Sequence, residues 1–259
     1  MSENYPQGHF CWTELCSSDW QGGKTFYSDL FTWSAEDQPI GNGLYYTMLK
    51  KPQGDVAAMY QMPADQHAQG VPSYWLSYIA VDDVDAMADK AKSLGATIVH
   101  GPHDVPEAGR MVLLCDPVGA MVALWQGQGH KGASVQNEVD TPCWFELATR
   151  DIESSASFYS ELLGWRAELK AMEGMDYTLF KAGDTMVGGM VAMDEQWPDD
   201  IPPHWMIYFS VNDCDAQAEQ AKKLGGEVCV QPMDVPEVGR FCVLTDPQGA
   251  VFSIINLNQ

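Results

Sequence analysis

The run of hydrophobic and polar positions Trp12-Thr13-Glu14-Leu15-Cys16 reads as a short strand. Phe26, Tyr27, Leu30 and Phe31 then recur at helical spacing, and Asp19 stands where an N-cap belongs. Two further strands are predicted near 45–49 and 56–61, parted by the turn-prone run Pro52-Gln53-Gly54-Asp55. The pattern restarts with a strand over 75–81. Asp82 or Asp83 then caps a helix carrying Val84, Met87, Ala88, Ala91 and Leu94, and Gly95 stops it. Strands near 97–99, 111–115 and 120–125 complete this half, with Asp116-Pro117-Val118-Gly119 turning between the last two.

The second half repeats the first. Cys11-Trp12-Thr13-Glu14-Leu15 returns as Cys143-Trp144-Phe145-Glu146-Leu147, an offset of 132. Asp19/Asp151, Phe26/Phe158, Tyr27/Tyr159 and Trp33/Trp165 keep it, and Asp104-Val105-Pro106-Glu107 returns 130 positions later as Asp234-Val235-Pro236-Glu237. An offset that slips by so little over half a chain marks a tandem duplication, since a solenoid repeats at a far shorter period. The helices of the second copy carry Ile152, Ser155, Phe158, Tyr159, Leu162 and Leu163, then Cys214, Ala218, Ala221 and Leu224. The Gly-rich, unpatterned run from Gly127 and the polar stretch to Asp140 read as a linker. The expected domains are therefore 1–126 and 141–259, joined by 127–140.

Composition narrows the function. The 259 residues suit two ordinary domains. A net charge of −22 repels phosphate backbones and anionic lipid, so nucleic acid and membranes are not expected partners. No apolar run reaches the roughly 20 residues of a span, and the start Met1-Ser2-Glu3-Asn4 has no signal-peptide pattern. The seven Cys include no CxxC pair, which fits reduced thiols and a cytoplasmic protein. Cys11 and Cys143 read as small core or wall residues.

Four strand–helix–strands modules, entered by Glu14-Leu15…Asp19 and Glu146-Leu147…Asp151, resemble the vicinal-oxygen-chelate superfamily. Phe26-Tyr27…Trp33, Leu94-Gly95-Ala96, Asp116-Pro117…Gly119 and their second-copy partners carry the same resemblance over nearly the whole chain. That superfamily holds glyoxalase I, extradiol dioxygenases and bleomycin-resistance proteins. The resemblance implies an α+β fold of four βαβββ modules paired into two glyoxalase-like domains, with curved sheets enclosing a small-molecule cavity. It is informative about fold and poor about activity.

The resemblance also places metal ligands, and here the chain departs from it. The implied positions hold Trp12 and Trp144 on the first strands, Ala123 and Ser253 on the last, and residues near Leu76 and Met206. A divalent ion needs about three N or O donors. No metal and no other cofactor is therefore expected. Glu14 and Glu146 share the inward face of Trp12 and Trp144 and are the candidate general bases or acids. Alternatively, each accepts one structural hydrogen bond. His204 replaces Tyr74 at the repeat position and offers the second domain an extra proton carrier, which favours Glu146 as the working carboxylate. Tyr78 and Tyr208 are positioned to orient a ligand or fill a core. Arg110 and Arg240 either clamp a ligand carboxylate or pair with nearby acids. Trp12 and Trp144 make walls suited to a ligand with an apolar or aromatic part. Three readings follow: a metal-independent cavity protein acting as an isomerase or lyase through a Glu, a non-catalytic protein sequestering a drug or metabolite, and a metal-dependent lyase or dioxygenase. Monomer and homodimer both remain open.

Overall fold

The computed structural model describes residues 5–172, 175–195 and 197–258. Each repeat builds one eight-stranded sheet. The first comprises β1 (Phe10–Ser17), β2 (Ser34–Gly41), β3 (Leu44–Lys51), β4 (Gly54–Gln61), β5 (Tyr74–Ala80), β6 (Thr97–Val105), β7 (Gly109–Cys115) and β8 (Met121–Gly127), in the order β2-β3-β4-β1-β5-β8-β7-β6. Helices α1 (Trp20–Phe31), α2 (Ala64–Ala68) and α3 (Val84–Ser93) connect them. The second repeat has β9 (Pro142–Thr149), α4 (Ile152–Leu163), β10 (Arg166–Met172), β11 (Met175–Ala182), β12 (Thr185–Ala192), β13 (His204–Ser210), α5 (Cys214–Lys223), β14 (Glu227–Val235), β15 (Gly239–Thr245) and β16 (Val251–Leu257). Its order is β10-β11-β12-β9-β13-β16-β15-β14. The α+β class and the four modules are as the sequence predicts.

The caps explain where the long helices start. Asp19, Asp83, Asp151 and Asp213 each accept a backbone N–H of the first turn, from Gly22, Ala86, Ser154 and Ala216. Asp83, not Asp82, is thus the cap of α3. Two elements went unpredicted. Strand β2 reads Ser-Ala-Glu-Asp-Gln-Pro-Ile-Gly and is exposed throughout, so it carries no alternation to detect. It exists because β3 supplies its antiparallel partner, and Lys50–Glu36 and Lys24–Asp37 ion pairs fix its acidic side chains. Charge and Pro39 at this outermost position also suit an edge strand. Helix α2 is five residues long, too short to leave a periodic signal.

Although each sheet belongs to one repeat, contacts gather the chain into two compact units that each draw on both repeats. One comprises Met1–Trp12, Ser77–Gly132 and Trp144–Met206, the other Thr13–Leu76, Ala133–Cys143 and Ile207–Gln259. Within the second of these units, Tyr27, Phe31, Trp33 and Trp75 pack with Phe209 and Phe252. Buried in that cluster, Trp75 Nε1 donates to the Tyr27 hydroxyl at 2.9 Å, and that hydroxyl donates to Asp246 Oδ2 at 3.0 Å. Asp246 Oδ1 accepts the turn amides of Gln248 and Ala250, both at 2.8 Å. The other unit has the mirror arrangement. Trp205 Nε1 donates to Tyr159, Tyr159 donates to Asp116 Oδ2, and Asp116 Oδ1 accepts the amides of Val118, Gly119 and Ala120. Phe10 stacks on Phe145 at 4.0 Å beside Trp165 and Trp205. Trp33, Trp75, Trp165 and Trp205 therefore belong to these cores.

Burial pushes the Tyr27 and Tyr159 hydroxyls far above their ordinary range, and the adjacent Asp charge adds to it, so both stay donors at any ordinary pH. Tyr27→Phe and Tyr159→Phe should each lower unfolding free energy by about 1–3 kcal/mol, because each leaves an indole N–H and a carboxylate oxygen unmet in a dry core. Urea unfolding of the two variants measures this; losses under about 0.5 kcal/mol would show the relay to be incidental.

Candidate functional site

Side-chain alternation sorts the strand faces. On β1, Glu14 registers with Ala58 of β4 and Cys16 with Tyr60, while Tyr46 of β3 registers with Tyr60. Glu14, Cys16, Tyr46 and Tyr60 therefore share one face. The opposite face, with Leu15 and Met59, lies under α1, where an added Cβ on Gly23 would touch both side chains. The candidate chemistry thus sits on the face that α1 leaves uncovered.

Glu14 is 9% exposed and accepts a 2.5 Å hydrogen bond from the Tyr46 hydroxyl. The second repeat keeps the pair: Tyr177 donates to Glu146 at 2.8 Å and receives Trp144 Nε1 at 2.8 Å. Burial first, and the Glu146 charge second, hold the Tyr177 phenol protonated. Gly189, the register partner of Glu146, makes this possible, since a Cβ there would lie 1.9 Å from the Tyr177 hydroxyl. Neither tyrosine was singled out from the sequence. Tyr46-Thr47 matching Tyr177-Thr178 was the available signal, and only the strand register shows that these phenols reach the carboxylates.

The repeats diverge one step further along β1 and β9. In the first, the Cys16 thiol sits among the side chains of Tyr60, Tyr74 and Gln66, with Sγ 3.9 Å from Gln66 Oε1. Burial raises the pKa of Cys16, Tyr60 and Tyr74 alike, so all three remain neutral. In the second, Ala148 takes the place of Cys16 and Val191 that of Tyr60, in the same register. They form an apolar cluster with Met193, against which Tyr177, Trp197 and Ile201 pack.

The remaining candidates are distributed as follows. His204 is half-buried, its Nδ1 lies 2.9 Å from the Pro202 carbonyl, and its ring lies 6.1 Å from Trp197. Trp12 is buried with its ring edge-on to His130 at 4.4 Å. Tyr78 is buried beside Trp125 and Met111, and Tyr208 beside Phe241. Arg110 makes a two-pronged ion pair with Asp85 and another bond to Asp104; Arg240 does the same with Asp215 and Asp234. Each guanidinium is thus engaged by two carboxylates of its own repeat, and a ligand carboxylate there would have to compete with both.

A metal ion does not fit the positions that the resemblance assigns to it. Trp12, Leu76, Ala123 and Met206 are buried and offer no N or O side-chain donor that binds metal. Ser253 Oγ is buried without a hydrogen-bond partner among the described residues, a single oxygen beside Tyr208 in the strand register. Among the described residues no three His, Cys, Asp or Glu side chains are placed to hold an ion.

Two measurements test this arrangement. Elemental analysis of the dialysed protein should find no stoichiometric Zn, Ni, Mn or Fe; about one ion per repeat would overturn the donor argument. The second concerns His204, whose pKa burial lowers from its ordinary 6.5. Between its folded pKa and 6.5 the unfolded chain holds the proton and the native chain does not. His204 therefore makes stability rise as pH rises through that window, and acidification withdraws it. Thermal melts of His204→Asn should show a flatter rise below neutral pH than the unaltered protein, and identical slopes would contradict it.

Comparison with known proteins follows the same lines. The model for the Glyoxalase/Bleomycin resistance protein/Dioxygenase superfamily matches twice, at residues 8–124 and 142–254. A protein of Mycobacterium tuberculosis named "Putative glyoxylase CFP32" is 42% identical over 253 residues, covering 97% of this chain and 95% of that protein. The anthracycline biosynthesis protein DnrV of Streptomyces peucetius is 34% identical over 269 residues, covering 98% and 95%. Two solved structures share the fold at low identity. The Mn(II)-bound glyoxalase of Novosphingobium aromaticivorans has a TM-score of 0.66 at 14% identity, covering 96% of this chain and 82% of that one. The 2,3-dioxygenase LapB of Pseudomonas sp. KL28 has a TM-score of 0.66 at 13% identity, covering 98% and 94%. A duplicated match over most of the chain, on two sheets of the same strand order, places the protein in the glyoxalase/bleomycin resistance protein/dioxygenase superfamily.

Proposed function

We propose that the protein is a metal-independent isomerase or lyase of this superfamily, acting by proton transfer on a small ligand with an aromatic or apolar part. The observation that carries the reading is the buried carboxylate–phenol pair, Glu14–Tyr46, on the face where the family's metal-ligand positions hold no ligands. Removal from bulk water favours proton uptake by a carboxylate, and the Tyr46 hydroxyl opposes this by bonding the charged form while it orients the group. Glu14 would take a proton from the carbon beside a ligand carbonyl and return it to a neighbouring carbon, which isomerises the ligand and needs no co-reactant. The relatives named for anthracycline biosynthesis support a ring-bearing ligand.

Glu14 is preferred to Glu146 as the working base. His204, which favoured Glu146 in the sequence, has its Nδ1 at the Pro202 carbonyl and a pKa lowered by burial. The face beyond Glu146 is closed by Trp197 and Ile201 against Ala148 and Val191, whereas polar groups continue beyond Glu14. On this reading the pair in the second repeat is structural, and Arg110 and Arg240 are surface clamps rather than ligand contacts. Sequestration without chemistry is the second reading, favoured by the fact that both carboxylates already accept a phenol.

Glu14→Gln keeps the shape but cannot take a proton. It should abolish deuterium exchange at the α-carbon of neutral aromatic ketones, followed by NMR, while ligand affinity stays within about tenfold, or ~1.4 kcal/mol. Glu146→Gln should leave exchange intact and lower stability by about 1–3 kcal/mol. Exchange persisting in Glu14→Gln would overturn the assignment, and binding with no exchange in the unaltered protein would favour sequestration.

A further inference from the structure

The two repeats keep the same strands in the same register, so differences between equivalent positions isolate what one repeat does alone. On the face opposite α1, the first repeat places Cys16 opposite Tyr60, with Tyr74 and Gln66 against the thiol. The equivalent register pair in the second repeat is Ala148 opposite Val191, His204 stands where Tyr74 stands, and Trp197 and Ile201 cover the place. We infer that Cys16, Tyr60, Tyr74 and Gln66 form a ligand subsite found in the first repeat alone, which takes the hydroxyl or carbonyl oxygens of an uncharged ring compound. It deepens the proton-transfer reading and rests on it only for the choice of face.

The chemistry of the four groups sets the ligand class. Two phenols, one thiol and one carboxamide supply O–H, S–H and N–H donors along with oxygen acceptors, and none carries a charge. Cys16 hydrogen-bonds Tyr60, Tyr74 and Gln66, and Tyr60 hydrogen-bonds Tyr74, so a ligand oxygen would enter by exchanging with these internal bonds. Tyr60, Tyr74 and Gln66 are half-buried, so a ligand could reach them, while Cys16 is buried behind. Their burial makes a lost hydrogen bond costly, and that cost is the source of selectivity: a site built to bond hydroxyls rejects an analogue that lacks them far more strongly than an apolar pocket rejects an added hydroxyl. Glu14 lies two residues before Cys16 on the same strand face, and the chain carries a net charge of −22. Anionic ligands are disfavoured on both counts. The thiol stays protonated, so Cys16 acts as a hydrogen-bonding neighbour and not as a nucleophile. In the second repeat an apolar plug occupies the equivalent place, so one ligand per chain is the expected stoichiometry.

The test uses two uncharged probes, 1,5-dihydroxynaphthalene and naphthalene, titrated calorimetrically into the full chain. The unaltered protein should bind one diol per chain, at least about tenfold more tightly than naphthalene. Tyr60→Phe and Tyr74→Phe should each cut that preference severalfold and leave naphthalene affinity unchanged. Gln66→Leu, at a half-exposed side chain on the short α2, should do the same and serves if a Tyr variant melts prematurely. Trp197→Phe in the second repeat should change neither affinity nor stoichiometry. Two diol sites per chain, no preference for the diol, no diol binding up to about 1 mM, or a preference lost in Trp197→Phe but kept in the Tyr variants would each overturn the subsite. The two proposals fail separately: exchange retained in Glu14→Gln removes the proton-transfer reading and leaves the subsite standing, while an absent hydroxyl preference removes the subsite and leaves Glu14 as the base.

Discussion

Two buried relays, Trp75–Tyr27–Asp246 and Trp205–Tyr159–Asp116, set the terms for the rest of this structure. Each carries an indole N–H from one strand, a phenol from the helix of the same repeat, and a carboxylate from the last turn of the other repeat. The carboxylate cannot be left dry and unpaired, because an unmet charge in a core costs several kcal/mol. It is met by the phenol on one side and by two or three amides of its own turn on the other. One group thus closes the turn between the last two strands of its own sheet and binds the helix of its sister repeat. That is why the compact units each draw on both repeats although each sheet belongs to only one. The aromatic clusters around the relays supply the area term, and the relays supply its register.

With α1 packed on one sheet face, the candidate side chains gather on the other. Strand alternation does the sorting: Leu15 and Met59 go under α1, and Glu14, Cys16, Tyr46 and Tyr60 go to the opposite side. The positions that the resemblance assigns to metal ligands carry Trp, Ala, Leu, Met and Ser. The face also presents a carboxylate with a phenol on it, present twice, and a cluster of neutral donors, present once.

Duplication makes that asymmetry interpretable. Both repeats keep the caps, the turn Asp and the core Tyr, so these show what the fold requires. Cys16, Tyr60 and Tyr74 against Ala148, Val191 and His204 show where the requirement ends. The polar version places half-buried hydroxyls around a buried thiol, and the apolar version, with Trp197 and Ile201 over it, is what the same register holds in the second repeat.

The sequence alone determined much of this. Apolar spacings, Asp caps, a Gly stop and a drifting 132-to-130 offset gave four modules in two repeats. These are local or periodic signals, legible because each rests on a few neighbouring residues. Tertiary structure decided the rest. Exposed β2 has no pattern of its own and exists through pairing with β3. The reach of Tyr46 to Glu14 spans 32 residues and depends on strand register. The committed Asp partners of Arg110 and Arg240, and the gathering of both repeats into each compact unit, depend on which surfaces meet. The sequence shows an added His204 in the repeat of Glu146, but not that Tyr60 and Tyr74 converge on Cys16 or that Trp197 and Ile201 pack over Ala148 and Val191. Convergence of side chains far apart in sequence is fixed by sheet register and packing, and no pattern along the chain carries it.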